Sequence, residues 1–296
     1  MDVNYELYKV FYHVAKTLSF SEAAASLFIS QSAVSQSVKV LERRLGQVLF
    51  TRSTKRVSLT PEGELLFKHI EPAINLITKG ENQLVNSKDT GGTQLRIAAS
   101  DTICRYYLVP YLNRFHQTFP DVHLKVMNAT SLQCAQLLSE NAADLIVANS
   151  PNPALNHSMQ IETLKEFSDI FIANKTSYDY SGAELSFAEL STLPILMLSK
   201  HSTTSEFLHE QFLYHSVELA PAVELSSNDL LIDLAKIGLG IAFVPDFCVE
   251  GKTGDELYII KTKEQLPKRK LVLAYDGSLP VSGPTEYFLN LLRDGT

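Results

Sequence analysis

The sequence predicts an α/β protein headed by a winged helix-turn-helix and a long connecting helix, and three observations carry that prediction. Two short amphipathic helices joined by a tight turn occupy Phe20 to Leu45, and a basic hairpin follows them. A single apolar seam, about seven turns long, runs through residues 61–88. From residue 94 onward short apolar strands alternate with helices, the pattern of a sheet with helical crossovers.

Length and composition bound the rest. A chain of 296 residues is long enough for two domains, and 45% hydrophobic with 20% charged residues is ordinary for a globular protein. No apolar run approaches the ~18 to 20 residues that a membrane span needs, and the N-terminus reads as an amphipathic helix rather than a signal peptide, so a cytoplasmic location without membrane contact is expected. Cys104, Cys134 and Cys248 lie far apart without metal-ligand spacing, so free thiols are expected, with no disulfide framework, metal site or cofactor. The net charge of −7 hides a division. Residues 1–60 hold eight Lys or Arg against four Asp or Glu, whereas residues 89–296 hold fifteen against twenty-five. A basic head on an acidic body is the asymmetry expected when only the head meets phosphates.

Leu7, Val10, Phe11, Val14, Ala15 and Leu18 form one helical stripe, so residues 4–18 are a core-facing first helix. Ser21 is the expected cap of the second helix, whose small Ala23 and Ala24 let another helix cross closely. Ser30 caps the third helix, in which Val34, Val38, Leu41 and Leu45 make the buried stripe. Ser32, Ser35, Gln36, Lys39 and Arg43 lie on the opposite face. Short hydroxyls and amides near a helix start, followed by cations, suit base edges and phosphates of a DNA major groove, although a solvated face is polar too. Gly46 fits the helix C-cap, and the hairpin after it carries Arg52, Lys55 and Arg56. Beside a helix-turn-helix such a hairpin is a wing, with arginines suited to a minor groove or to the backbone.

The run FSEAAASLFISQSAVSQSVKVLERRLGQVLFTRSTKRVSLTPEG resembles the N-terminal signature of LysR-type transcriptional regulators: the paired alanines, the SQSAVSQ segment, the LERRLG end, the LFTR wing and the LTPEG entry to the next helix. The family often has proline where Ser32 stands, and Arg or Gln at Gln36. The resemblance implies a homo-oligomeric, sequence-specific DNA-binding regulator of transcription. Ser30, Gln31, Ser32, Ser35 and Gln36 would enter the groove, Lys39, Arg43 and Arg52 would meet phosphates, and Lys55 and Arg56 would sit at the wing tip. Double-stranded DNA is the expected partner, and RNA polymerase is left open as another.

Thr60 is the expected cap of the long helix, with Pro61 in its first turn and Glu62 and Glu64 at its positive end. Leu66, Ile70, Ala73, Ile74, Ile77, Leu84 and Val85 form its seam, and Pro72 predicts a kink or break near Glu71. In the resembled family this is the linker helix that pairs two subunits, with a tetramer as the fuller assembly. The expected divisions are residues 1–60, the linker 61–88, a hinge 89–93 and a body 94–296.

GLGIAFVP and ADLIVA extend the resemblance into the body and imply a two-lobed, periplasmic-binding-protein-like effector domain. Lobe I is expected at 94–160 with 268–296 and lobe II at 161–267, joined by two crossover strands. In such sheets ligands sit beyond the carboxyl ends of strands, against helix N-termini. Four junctions there are rich in hydroxyls and amides: Ser100-Asp101-Thr102; Asn128, Thr130 and Ser131; Ser202, Thr203 and Thr204; and Ser226, Ser227 and Asn228. Each alone is simply a helix cap. The first three match effector-binding positions of the family, and together they suit a small-molecule effector, in particular an anion such as a carboxylate. Family members that bind larger carboxylates often carry arginine where Thr204 stands, so a guanidinium clamp is absent there, and Lys200, His201 and Arg105 are the candidates to replace its charge.

The alternatives are an enzyme, or a thiol-redox sensor at Cys104, built on the same body. No Walker loop, dinucleotide glycine fingerprint, HExxH or GxSxG motif occurs, and no His is placed beside Asp101, so a regulator rather than an enzyme is expected. Effector-driven closure acting allosterically on the linker helices is the expected mode of control.

Overall fold

The computed structural model describes residues 3–52, 57–90, 94–156, 158–251, 254, 256–277 and 281–295, with the backbone alone for residues 52, 79 and 82–90. The chain divides into two compact units, Met1–Asn86 and Ser87–Thr296.

The first unit holds α1 (Tyr5–Thr17), α2 (Phe20–Leu27), α3 (Gln31–Leu45), the antiparallel pair β1 (Phe50–Arg52) and β2 (Val57–Leu59), and α4 (Pro61–Thr90). Its core gathers the apolar stripes of the three short helices, with Phe11, Val14, Ala23, Val34, Val38 and Leu41 fully buried. The cap of α2 is Ser19, not Ser21: the Glu22 amide donates to Ser19 Oγ at 3.2 Å. The helix starts early because Phe20 packs into the core and stacks edge-on with Phe50. Ser30 caps α3, and Gly46 ends it with φ +68°. The Glu42 carboxylate accepts from the amides of Leu49 at 2.9 Å and Phe50 at 3.3 Å, which ties the wing to α3.

Thr60 caps α4, accepting from the Gly63 amide at 3.0 Å. A side chain at Gly63 would place its Cβ 2.2 Å from the Leu49 carbonyl oxygen, so only glycine lets α4 approach the wing so closely. Of the kink or break expected near Glu71, a break does not occur; α4 continues through Pro72 to Thr90 and so takes in the start of the expected hinge. Proline removes one hydrogen bond, and a helix of this length keeps its remaining turns on either side. Leu66 and Ile70 of the seam pack against the unit's own core and Ile74 is buried, while Leu65, Leu76 and Ile77 stay exposed. The side chains of Leu84 and Val85, and residues 91–93 of the expected hinge, lie outside the described residues.

The second unit contains two sheets. It begins with β3 (Gln94–Ala99) and a continuous helical stretch of α5 (Asp101–Ile103), a π turn (Cys104–Leu108) and α6 (Val109–Thr118). β4 (His123–Asn128), α7 (Ser131–Ser139), β5 (Leu145–Ser150) and β6 (Met159–Phe167) follow. The chain then forms β7 (Asp169–Asn174), β8 (Glu184–Leu185), α8 (Phe187–Leu190), β9 (Ile195–Leu198), α9 (Thr203–Tyr214), β10 (Val223–Leu225), α10 (Asn228–Lys236), β11 (Ile241–Pro245) and β12 (Leu257–Thr262). It ends with β13 (Arg269–Asp276) and α11 (Gly283–Asp294).

The first sheet has the order β4-β3-β5-β13-β6 and the second β10-β9-β11-β7-β12-β8. Each sets three parallel strands beside an antiparallel one that arrives from the other sheet: β13 beside β5, and β7 beside β11. Membership of the first sheet extends through β6 to Phe167, past the boundary expected at 160. β6 is an edge strand whose mixed exposure hid it among polar residues. The two crossings fall at Ser168 and between Thr262 and Arg269. Separate apolar clusters fill each lobe, and a further one joins Tyr106 to Phe167 and Phe247.

Candidate functional site

In the first unit α3 separates its two faces cleanly. Val34, Val38 and Leu41 are fully buried, whereas Ser30, Gln31, Ser32, Gln36, Lys39 and Arg43 are exposed and Ser35 is half-buried. Ser30 Oγ accepts from the Ala33 amide at 3.2 Å and lies 2.8 Å from Ser32 Oγ, so the helix start presents a fixed pair of hydroxyls. Exposed hydroxyls and an amide at the N-terminal end, with cations further along, form a face of the kind that docks on DNA. The Arg52 side chain, Lys55 and Arg56 lie outside the described residues.

In the second unit a cavity of about 290 Å³ opens between the lobes, at the carboxyl ends of the parallel strands. All eight hydroxyl and amide residues expected from the first three junctions line it: Ser100 and Thr102; Asn128, Thr130 and Ser131; and Ser202, Thr203 and Thr204. Ser226 and Asn228 line it from the fourth junction, joined by Asn149, Gln133 and the apolar Leu198 and Phe247. Asp101 is the acidic residue among those lining it, and it is exposed at the start of its helix.

Seven of the nine lining hydroxyls share one property. Ser100 Oγ accepts from the Ile103 amide at 3.3 Å, Thr130 Oγ1 from the Gln133 amide at 3.3 Å and Ser202 Oγ from the Ser205 amide at 3.1 Å. Ser131 Oγ accepts from the Asn149 amide at 3.0 Å, and Thr102 Oγ1 from Asn228 Nδ2 at 2.9 Å. Thr203 Oγ1 and Thr204 Oγ1 each accept from the Arg269 guanidinium at 3.0 Å. A hydroxyl whose oxygen already accepts keeps a proton to donate. The cavity wall therefore converges O–H donors on one space, where the N-termini of α7, α9 and α10 add partial positive charge.

Arg269, which sequence reasoning did not single out, sits behind the cavity wall. Its side chain is fully buried, bridges Asp169 at 2.9 Å and lies with its guanidinium carbon 5.1 Å from the Phe207 ring centre and 5.5 Å from that of Phe167. Burial pushes the Asp169 carboxyl pKa above the ordinary carboxylate value, against the pull of Arg269. No guanidinium lines the cavity at Thr204; Arg269, which opens β13, instead donates to the Thr204 hydroxyl from behind. A Lys-Arg-Lys run at the start of a strand was the signal available, and it reads equally as a solvated turn. Lys200 and His201 are exposed and do not line the cavity, and Arg105 instead faces Asp229 at 3.4 Å. The Tyr106 phenol donates to the same carboxylate, so Arg105 and Tyr106 of lobe I meet the start of α10 in lobe II.

Burial raises the Cys104 thiol to about 11 and the Cys134 thiol to about 12. Both stay protonated at neutral pH, the opposite of the low-pKa thiolate that a redox sensor uses. No group of three or more His, Cys, Asp or Glu that could hold a metal ion occurs among the described residues, and no helix of the described residues is long and apolar enough to cross a membrane.

A recognition helix with a wing, followed by a two-lobed domain with a polar interlobe cavity, defines a ligand-responsive DNA-binding protein. Residues 5–64 match the family model of the bacterial regulatory helix-turn-helix protein, lysR family, and residues 88–296 match the LysR substrate binding domain, so the chain belongs to the LysR family of transcriptional regulators. It binds DNA and a small-molecule effector, and it is not an enzyme. A probable RuBisCO transcriptional regulator of Thalassiosira pseudonana is 27% identical over 249 residues, 82% of this chain and 81% of the relative. A probable nitrogen assimilation transcriptional activator of Synechococcus elongatus is 27% identical across 95% of this chain and 91% of its own length. Among solved structures, the CcmR regulatory domain of Synechocystis PCC6803 in complex with 2-PG is similar with a TM-score of 0.61 at 21% identity, covering 69% of this chain and 97% of that one. DarR of Vibrio fischeri in complex with DNA is similar with a TM-score of 0.57 at 20% identity, covering 99% of each chain.

Proposed function

We propose that the interlobe cavity takes a small oxyanion as effector, and that its occupancy sets how paired α3 helices engage two-fold-related half-sites of DNA. The observation that carries the reading is that seven of the nine lining hydroxyls already accept a bond from the protein and so keep a proton to donate. An oxyanion is the ligand that accepts from such a ring, and three helix N-termini favour its charge. The 2-PG in the CcmR regulatory domain supports a small ligand in this kind of domain.

In this reading Ser30, Gln31, Ser32, Ser35 and Gln36 meet the major groove, Lys39, Arg43 and Arg52 meet phosphates, and Lys55 and Arg56 serve the wing. The exposed Leu65, Leu76 and Ile77 of α4 support pairing of two copies through that helix, since apolar side chains on a long helix gain by meeting a partner. Such a regulator works in the cytoplasm. A thermal-shift screen of the full chain against mono- and dicarboxylates, phosphate and sulfate tests the cavity: an anion at 100 times its Kd adds ~2.7 kcal/mol to the stability of the second unit. If no anion shifts its unfolding while neutral analogues do, the oxyanion reading is wrong.

A further inference from the structure

The donor ring says what the ligand must accept; two carbonyl oxygens in the same cavity say what it must offer. Asn228, at the start of α10, is only 5% exposed. Its Nδ2 donates to Thr102 Oγ1 at 2.9 Å, across from one lobe to the other, and this turns the amide so that its Oδ1 points away from that bond. Asn228 Oδ1 is buried and has no hydrogen-bond partner among the described residues, and the same holds for Asn149 Oδ1 at the end of β5. Both residues line the cavity. A buried carbonyl left unmatched is costly, and two that line one cavity are candidates for a bond supplied by a bound molecule.

A simple carboxylate or sulfate has no proton to give to these oxygens. We infer that the effector is a compact oxyanion that carries its own hydrogen-bond donor, a hydroxyl or an ammonium, and that Asn228, seconded by Asn149, reads that donor. The inference rests on the oxyanion reading of the cavity and narrows it. Asn228 is suited to the role because it already holds the two lobes together through Thr102. A donor placed on its oxygen would lock the amide in the orientation that keeps that interlobe bond, so recognition and closure are served by one side chain. The cavity of about 290 Å³ admits a ligand of hydroxy-acid or amino-acid size.

The experiment is a calorimetric titration of the full chain with acids of matched size with and without a donor: propionate against lactate and alanine, succinate against malate and aspartate, and sulfate against hydrogen phosphate. The donor-bearing member of at least one set is expected to bind at least about tenfold tighter than its donor-free partner. Lactate against alanine, and malate against aspartate, distinguish hydroxyl from ammonium. In Asn228→Leu the ratio between the donor-bearing acid and its donor-free partner should fall to within about twofold, whatever the change in affinity common to both. If donor-free acids bind as tightly as their partners, this inference falls while the oxyanion reading stands. If no anion binds but neutral polyols do, the oxyanion reading falls and this inference with it. The wild-type comparison decides the matter even if Asn228→Leu fails to fold.

Discussion

Arg269 and Asp169 meet at 2.9 Å with both side chains fully buried, and each opens the strand by which the chain crosses from one lobe to the other. Asp169 begins β7 directly after β6 of the first sheet, and Arg269 begins β13 on the return. The pair therefore joins the two crossings, while the same guanidinium holds Thr204 through the nitrogen that meets Asp169 and Thr203 through its other terminal nitrogen. Hinge and ligand cavity share one cation.

Replacing Arg269 by Met should leave the Asp169 carboxylate buried without its partner, a change that typically costs about 3–5 kcal/mol. Urea unfolding of the second unit, followed by tyrosine fluorescence, measures the loss. The double variant Arg269→Met with Asp169→Leu should recover a large part of that stability, yet bind anions as poorly as the single one, because Thr203 and Thr204 have lost the donor that orients them. Full recovery of anion binding in the double variant would show that the arginine matters to the fold alone.

On the DNA side, Arg43→Ala should weaken binding to specific and random duplexes alike and reduce the salt slope by about one, as expected for one phosphate contact. Gln36→Ala should instead change the ranking of operator variants, with about 1–3 kcal/mol at the base it reads. Gel-shift titrations at several salt concentrations separate the two. Equal losses for Gln36→Ala on specific and random DNA would remove it from the groove.

With its pKa raised to about 11, Cys104 should react with iodoacetamide at pH 8 about two orders of magnitude more slowly than free cysteine. Mass spectrometry of timed aliquots gives the rate, and a rate near that of the free amino acid would reopen thiol sensing.

Glu189 supplies an acid-dependent prediction. Its carboxylate accepts from the Ser186 amide and hydroxyl, each at 2.7 Å, and meets Lys263 Nζ at 3.1 Å, which together lower its pKa to about 2. A carboxyl depressed in the folded state contributes stability above its unfolded pKa and loses it as pH falls toward the folded one. The melting temperature of wild type should therefore exceed that of Glu189→Gln near neutrality, and the gap should close between about pH 4.5 and pH 2. A gap that is constant with pH would mean that the capping box does not depend on the charge.

Local order was legible in the sequence wherever one element carries its own evidence. The stripe Val34, Val38 and Leu41 declared α3 and, by exclusion, its polar face, because helical period and burial are set by neighbours three and four residues apart. Hydroxyls at strand ends declared the four junctions of the cavity, because caps are local chemistry. The start of α2 was misplaced because Phe20 answers to Phe50, a residue thirty positions away. β6 and β12 are of mixed exposure, and such strands resemble polar coil until they are paired.

The amino-acid sequence by itself determined the kind of molecule: a basic reading head, a long helix and an α/β body with hydroxyl-rich strand ends. Tertiary structure alone decided that these hydroxyls line one cavity and that seven of them already accept a bond from the protein. That outcome depends on Arg269 reaching Thr203 and Thr204 across 66 and 65 positions of chain, and on Asn228 reaching Thr102 across 126. Such pairings have no period and no local motif; they exist only once two sheets have been folded against each other.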